Sequence, residues 1–326
     1  MFSGSLVSCR LVPRLLCGLT MVVLAGLVGA GQDRSAPVEE RAVKAPLAPQ
    51  SLLLDVSVTD GLMVAVGERG HVLVSRDGGA SWIQAEVPTR TLLTGVFMRD
   101  AQLGWAVGHD AVALRTRDGG QTWERVHYEP EREKPLLDVW FADAQRGLAV
   151  GAYGELLVTS NGGDSWEPRP VNGGDDFHLN HIVPGGGGTV YLAAEAGRIY
   201  RSDDGGSTFA PVSSPYAGSF FGVLPLSDGS VLAFGLRGHA FRSRDRGTTW
   251  ERIETGSEET LTCGLELGAG RFVLGGMAGT LIWGDASGAV RKQELPSRKA
   301  IAALAIANQQ LLLFGEGGVQ RVDIPR

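Results

Sequence analysis

Five nearly identical octapeptides recur in this chain: SRDGGASW ending at Trp82, TRDGGQTW at Trp123, TSNGGDSW at Trp166, SDDGGSTF at Phe209 and SRDRGTTW at Trp250. Their closing aromatics stand 41, 43, 43 and 41 residues apart. A unit of that length cannot bury an apolar face by itself, so the chain must stack its units side by side.

Laid over one another, the units share one order: an apolar run, a turn, a second apolar run ending in Gly, another turn, an alternating strand, the octapeptide and a last short strand. In the second unit these are Leu92 to Phe97, Gly104 to Val107, Ala111 to Arg115, the octapeptide, and Trp123 to Val126. Four short strands in about 40 residues make one propeller blade. Two further units lack the octapeptide but keep the rhythm, Phe272 to Trp283 followed by Asp285, and Leu311 to Arg321. The expectation is an all-β fold, a seven-bladed β-propeller over residues 51–326, forming one domain because a ring of blades shares its core. The 47 glycines, about twice ordinary usage, suit a fold made of tight turns. The last unit reaches Arg326 after three strands, and a ring must close to avoid an open edge. Residues 41–44 are expected to supply the missing outer strand.

The octapeptide has a mechanical reading. An Asp or Asn in a tight turn accepts hydrogen bonds from nearby N–H groups, glycine takes the left-handed angles, and a Ser or Thr hydroxyl adds a local bond. Asp77, Asp118, Asn161, Asp204 and Asp245 are therefore read as structural, together with the wedges Trp82, Trp123, Trp166, Phe209 and Trp250. Burying about 150–250 Å² of aromatic surface between blades contributes at most about 4–6 kcal/mol each.

The N-terminus reads as an export signal over residues 1–30. Arg10 and Arg14 precede the apolar run Leu15 to Ala30, which ends in the small-residue pattern Val28-Gly29-Ala30. The run is short for a membrane span, so cleavage is expected over retention as an anchor. Leu15-Leu16-Cys17 lacks the small residue that precedes a lipidated cysteine. Residues 31–50, with Pro37, Pro46 and Pro49, read as a spacer. Of three cysteines, Cys9 and Cys17 lie in the signal, leaving Cys263 with no internal disulfide partner. With 36 acidic and 30 basic residues, two of the latter in the signal, the exported chain is acidic. A general nucleic-acid surface is disfavoured.

Function on a propeller concentrates in loops at one face. Aligning the units places Asp55, Gly95, Asp138, His181, Gly222, Gly264 and Ala303 at equivalent inner-strand positions. The turns after the second strands add Glu68, Arg69, His109, Asp110, Tyr153, Glu195, Arg237 and Glu316. Tyr216, in the loop SSPYAGSFF, marks a second docking candidate, although the adjacent Phe220 and Phe221 equally suit the start of a buried strand. His178 and His181 point to opposite faces of an extended strand, so no metal site is expected.

The pattern V-G-x-x-G-x-[ILV]-x-x-[ST]-x-D-G-G-x-[ST]-W, present from Val66-Gly67 to Trp82 and from Val107-Gly108 to Trp123, resembles the photosystem II stability/assembly factor family of seven-bladed propellers. The likeness covers about residues 45–326. It implies an exported protein that binds a membrane-protein assembly intermediate and carries no chemistry of its own. The expected function is a non-catalytic scaffold for a membrane or periplasmic complex, without cofactor, monomeric, and free or peripherally membrane-associated in the periplasm. The alternatives are a sialidase-type glycoside hydrolase, which shares the octapeptide but needs an arginine cluster, and a glycan-binding propeller, which needs aromatics at the mouth.

Overall fold

The computed structural model describes residues 40–325; the export signal read over residues 1–30 lies outside them. Among the described residues, 27 strands form seven antiparallel meander sheets, six of four strands and one of three. The molecule is a seven-bladed propeller. The inner strands, Leu53–Thr59, Leu93–Met98, Leu136–Phe141, Leu179–Gly186, Phe220–Pro225, Leu261–Gly268 and Ile301–Ala307, line a central channel.

The second strand of each blade is the most apolar because both its faces are covered. In blade 1, Leu62–Gly67 is buried throughout. Its alternate side chains divide between neighbours: Val64 and Val66 pack toward blade 2 with Val96, Leu114 and Trp123, while Met63 and Ala65 pack toward blade 7 with Leu312 and Phe314. The same two-sided division recurs around the ring and produces seven apolar clusters, one at each blade interface. Each octapeptide aromatic enters the interface with the preceding blade. Trp166 of blade 3 meets Phe141 edge-on at 5.8 Å, and Phe141 lies flat on Trp105 of blade 2.

The octapeptide turns are closed by their own polar groups. Asp77 Oδ1 accepts from Ser75 Oγ (2.8 Å) and the Ser81 N–H (2.9 Å), and its Oδ2 accepts from Ser81 Oγ (2.6 Å). Asp118, Asp204 and Asp245 repeat the arrangement. These bonds hold the carboxyls of Asp77, Asp204 and Asp245 down to about 2. Asn161 reverses one of them, its Nδ2 donating to Ser165 Oγ at 2.9 Å.

Ring closure departs from the sequence expectation. Blade 7 has three strands, Ile301–Ala307, Gln310–Gly315 and Gln320–Asp323, and residues 41–44 are not among them. That segment lies along the outer side of blade 1: the Ala42 N–H donates to Val87 O (3.0 Å), the Ala45 N–H to Gln84 Oε1 (2.7 Å), Gln84 Nε2 to Val43 O (3.0 Å) and Arg90 Nε to Arg41 O (2.9 Å). A polar side chain of blade 1 captures the backbone, and Ala42 finds its apolar pocket between blades 1 and 2. Blade 7 meets blade 1 through side chains, with Trp82 edge-on to Phe314 at 5.8 Å, and through the Val319 N–H, which donates to Pro49 O at 2.9 Å.

Candidate binding face and central channel

The inner strands begin at the face that carries the turns between second and third strands. In blade 1 the Glu68 N–H donates to Leu52 O at 3.1 Å, tying that turn to the segment entering the inner strand. The acidic residues of these turns strengthen the same tie. Glu68 accepts the Leu52 N–H, Glu195 the His178 N–H and Glu316 the Ala300 N–H, at 3.3, 3.1 and 3.0 Å. Asp110 Oδ2 accepts from Thr91 Oγ1 at 3.2 Å. These acids brace the mouth rather than reach out from it.

Asp110 apart, the residues that do project sit at the turn apices. Arg69, Asp110, Tyr153, Ala196, Arg237 and Ala278 all have left-handed backbone angles, with φ between 52° and 58°. In blades 1, 3, 4, 5 and 6 glycine follows the apex. At Gly197 a Cβ would stand 1.9 Å from Tyr216 O, so only glycine lets the turn approach the chain entering the next blade. Arg69, His109 and Arg237 are exposed, Tyr153 is 56% exposed, and Met277, beside the Ala278 apex, is 41% exposed. Tyr153 also stands edge-on to His178 (4.8 Å), which approaches Glu195 at 3.4 Å.

Just inside the mouth the strands form a layer of titratable side chains. The register places Asp55, Gly95, Asp138, His181, Gly222, Cys263 and Ala303 at one level, each two residues beyond the buried residue that starts its strand. Cys263 therefore occupies the position that the sequence alignment gave to Gly264. The bulge between Leu261 and Cys263 matches the one at the same step of every other blade, so the common register falls on Cys263. The channel here is a cavity of about 440 Å³, and none of its lining residues is Arg or Lys.

The polar members of this layer act as brackets between blades. Asp55 Oδ2 accepts the Val96 N–H of blade 2 (2.8 Å), and Asp138 Oδ2 accepts the Ile182 N–H of blade 4 (2.9 Å). Asn180 Nδ2 donates to Phe220 O (2.8 Å), and His181 Nδ1 accepts the Val223 N–H at 3.5 Å. Burial raises the pKa of both carboxyls well above the usual range, and for Asp55 the charge of Asp138 adds to it. Burial lowers His181 and pushes the Cys263 thiol up to about 12. The layer thus favours neutral forms, holding a neutral imidazole and an unreactive thiol.

His178 and His181 diverge, one to the Tyr153 and Glu195 side chains at the mouth and the other into the channel. Among the described residues no group of three or more His, Cys, Asp or Glu could hold a metal ion. Tyr216 is drawn inward: its ring stacks on His239 (4.2 Å) and meets Phe220 (5.7 Å), and its hydroxyl donates to Leu236 O (3.3 Å). Tyr216 and Phe220 pack between blades 4 and 5, with Phe220 fully buried, whereas Phe221 lines the channel. The inter-blade bridges were not legible as such, because each partner backbone group lies about 40 residues away.

Comparison with known proteins follows the same architecture. The model of the family described as photosynthesis system II assembly factor YCF48 matches residues 38–132 and 129–251. The chain is 33% identical over 218 residues to the photosystem II assembly protein Ycf48 of Synechococcus sp. (strain JA-2-3B'a(2-13)), covering 62% of this chain and 60% of that protein. It is 34% identical over 209 residues to the photosystem II assembly lipoprotein Ycf48 of Prochlorococcus marinus (strain MIT 9313), covering 63% and 60%. The match thus spans about three-fifths of these curated relatives. Among solved structures, one described as YCF48 bound to D1 peptide superposes with a TM-score of 0.70 at 17% identity, covering 88% of this chain and 97% of that one. The WD40 propeller domain of Doa1 gives 0.66 at 13%, covering 87% and 95%, so these likenesses establish the fold. By sequence, the chain belongs to the Ycf48 family of photosystem II assembly factors, a family named for assembly and not for a catalysed reaction.

Proposed function

We propose that this protein is an exported, non-catalytic assembly factor that holds a polypeptide segment of a membrane-protein complex against the face where its inner strands begin. Family membership carries the reading, since relatives are named for photosystem II assembly and one solved relative is described with a D1 peptide bound. The face suits such a role because Arg69, His109, Tyr153, Arg237 and Met277 offer mixed charged and apolar groups around an open mouth. A channel without Arg or Lys does not provide the arginine cluster of a sialidase. Export agrees with the N-terminal signal pattern and with relatives named as lipoproteins. The protein works as a monomer, in the periplasm or on its membrane surface, and needs no cofactor or nucleic acid.

The test is affinity isolation of the tagged full chain from detergent-solubilised envelope. Arg69→Ala/Arg237→Ala and Tyr153→Ala serve as folded face variants, with the captured subunits identified by mass spectrometry. Loss of one membrane complex from the face variants is the expected result. Retention on a glycan array or turnover of a glycoside, with no membrane subunit recovered, would overturn the reading.

A further inference from the structure

The chain contains two Asn-Gly pairs, Asn161-Gly162 and Asn172-Gly173, and each is followed by a second glycine. In such a pair the backbone nitrogen after the asparagine can attack the side-chain amide carbon, because glycine has no Cβ to crowd the approach and its backbone turns freely. The two pairs differ in what the fold does to that nitrogen. Gly162 is buried and its N–H donates to Gln145 O at 2.8 Å. The Asn161 amide is held at both ends: Oδ1 accepts from Thr159 Oγ1 (2.9 Å) and the Ser165 N–H (3.0 Å), and Nδ2 donates to Ser165 Oγ (2.9 Å).

Asn172-Gly173 lies in the loop between the outer strand of blade 3, Glu167–Pro168, and the inner strand of blade 4. Asn172, Gly173 and Gly174 are all exposed, and a Cβ on either glycine would meet nothing within 4 Å. Neither the Gly173 N–H nor Asn172 Oδ1 has a hydrogen-bond partner among the described residues, and the amide's one bond there runs from Nδ2 to Asp175 Oδ2 at 3.1 Å. The same Asp175 oxygen accepts from the hydroxyl of the buried Tyr200 at 2.8 Å. The loop then crosses the blade 3 apex turn, where the Gly154 N–H donates to Phe177 O at 3.0 Å. A change at Asn172 therefore acts on a segment that borders the mouth.

We propose that Asn172 is a site of spontaneous deamidation whose product loosens the loop over the blade 3 apex. The Gly173 nitrogen forms a bond to Asn172 Cγ and gives up its proton as the Cγ–Nδ2 bond breaks, so ammonia leaves and a five-membered succinimide remains. Water then opens the ring at either carbonyl. The net change turns one amide and one water into one carboxylic acid and ammonia, with nothing oxidised or reduced. The residue is left as aspartate or, where the chain now runs through the side-chain carbon, as isoaspartate. At neutral pH either product removes the donor that Asp175 accepts from and sets a second negative charge beside it, so an attractive contact becomes a repulsive one. The chemistry at Asn172 does not depend on the binding face; only its bearing on a bound partner rests on the function proposed above.

The full folded chain is incubated at pH 8 in water enriched in ¹⁸O, and the acid formed at each asparagine is located by peptide fragmentation in the mass spectrometer. Asn161 is the internal reference, since it reacts only when its turn opens. Asn172 is expected to convert roughly tenfold or more faster than Asn161, which corresponds to an opening cost above about 1.4 kcal/mol for the Asn161 turn. In chain unfolded by urea the two rates should draw together. Conversion of Asn172 no faster than that of Asn161 in the folded chain, including no conversion of either, overturns the proposal. So does a preference that is as large in urea as in the folded chain, because the fold would then play no part in it. Asn172→Asp installs the charge of the product, and its Gly154 amide is expected to exchange with deuterium faster than in the wild type. Equal exchange in the two chains would show that the loop is not loosened and overturn that half of the proposal.

Discussion

Asp55 of blade 1 takes the N–H of Val96 in blade 2 at 2.8 Å with one carboxylate oxygen while the other takes the Val56 N–H at 2.8 Å, so one side chain fixes two adjacent inner strands. Replacing it with Ala leaves two backbone donors without that acceptor. Asp55→Ala is expected to destabilise the fold by about 1–3 kcal/mol, and Asp55→Asn, which keeps one acceptor, by less. Urea unfolding of the two variants provides the measurement, and equal stability of Asp55→Ala and wild type would show that the bracket contributes nothing.

The channel carboxyls also set a pH dependence. Asp138 and Asp55 hold their protons more tightly in the folded than in the unfolded chain, because burial raises both to about 7. The folded state then binds more protons between about pH 4 and 7, and its stability falls as pH rises through that window. Asp138→Asn is expected to flatten the slope by on the order of 1–2 kcal/mol across the window. Unfolding free energies measured at pH 4.5 and pH 8 would decide; a wild-type chain that gains stability from these groups over that interval contradicts the account.

The octapeptide tryptophans are not equivalent. Trp123 Nε1 donates to Gly120 O at 3.0 Å, whereas Trp166 Nε1 is buried without a partner among the described residues. Trp123→Phe therefore loses a hydrogen bond that Trp166→Phe does not, and should be the costlier change by about 1 kcal/mol. Denaturation midpoints of the two variants test the order.

Asn161 offers a gain. In the other turns a carboxylate accepts the Ser or Thr hydroxyl, as Asp77 accepts from Ser81, and Asn161→Asp restores that acceptor. The new carboxyl should titrate below the normal range, like Asp77 at about 2. The thermal midpoint is expected to rise at pH 7, and the gain to disappear as pH falls through the folded-state pKa. A variant that melts at or below the wild type at pH 7 would refute this.

Much of this architecture was legible from spacing alone, because seven apolar rhythms and five octapeptides report a local unit. The places where sequence reasoning erred involve longer reach. Cys263 and not Gly264 takes the blade 6 position because that strand starts at Leu261 as the others start at Leu93 or Phe220, whereas Gly264 matched Gly95 and Gly222 in residue type alone. Residues 41–44 went to blade 1 because Gln84 offers its side chain to their backbone, which no alternation encodes. Glu68, Glu195 and Glu316 were expected among the mouth residues, and each also accepts a backbone N–H about 16 residues away in its own blade, a tie that spacing does not reveal. Tyr216, expected as a docking candidate, also stacks its ring on His239, a contact the sequence does not show.

The junction of blades 7 and 1 joins Leu53, Met63, Ala65 and Leu73 to Ala303, Ala305, Leu312 and Phe314, residues 230 or more positions apart along the chain, with no strand exchanged between the two blades among the described residues. Until that junction closes, the folding chain is an open crescent whose two terminal blades each leave an apolar flank uncovered. Closure has the largest sequence separation of the blade contacts, and among the described residues side-chain packing and the bond to Pro49 make it. Exposure of apolar surface therefore belongs to the crescent rather than to the finished ring, and substitutions at Leu53 or Phe314 are expected to reduce the yield of folded protein more than their effect on the closed molecule would suggest.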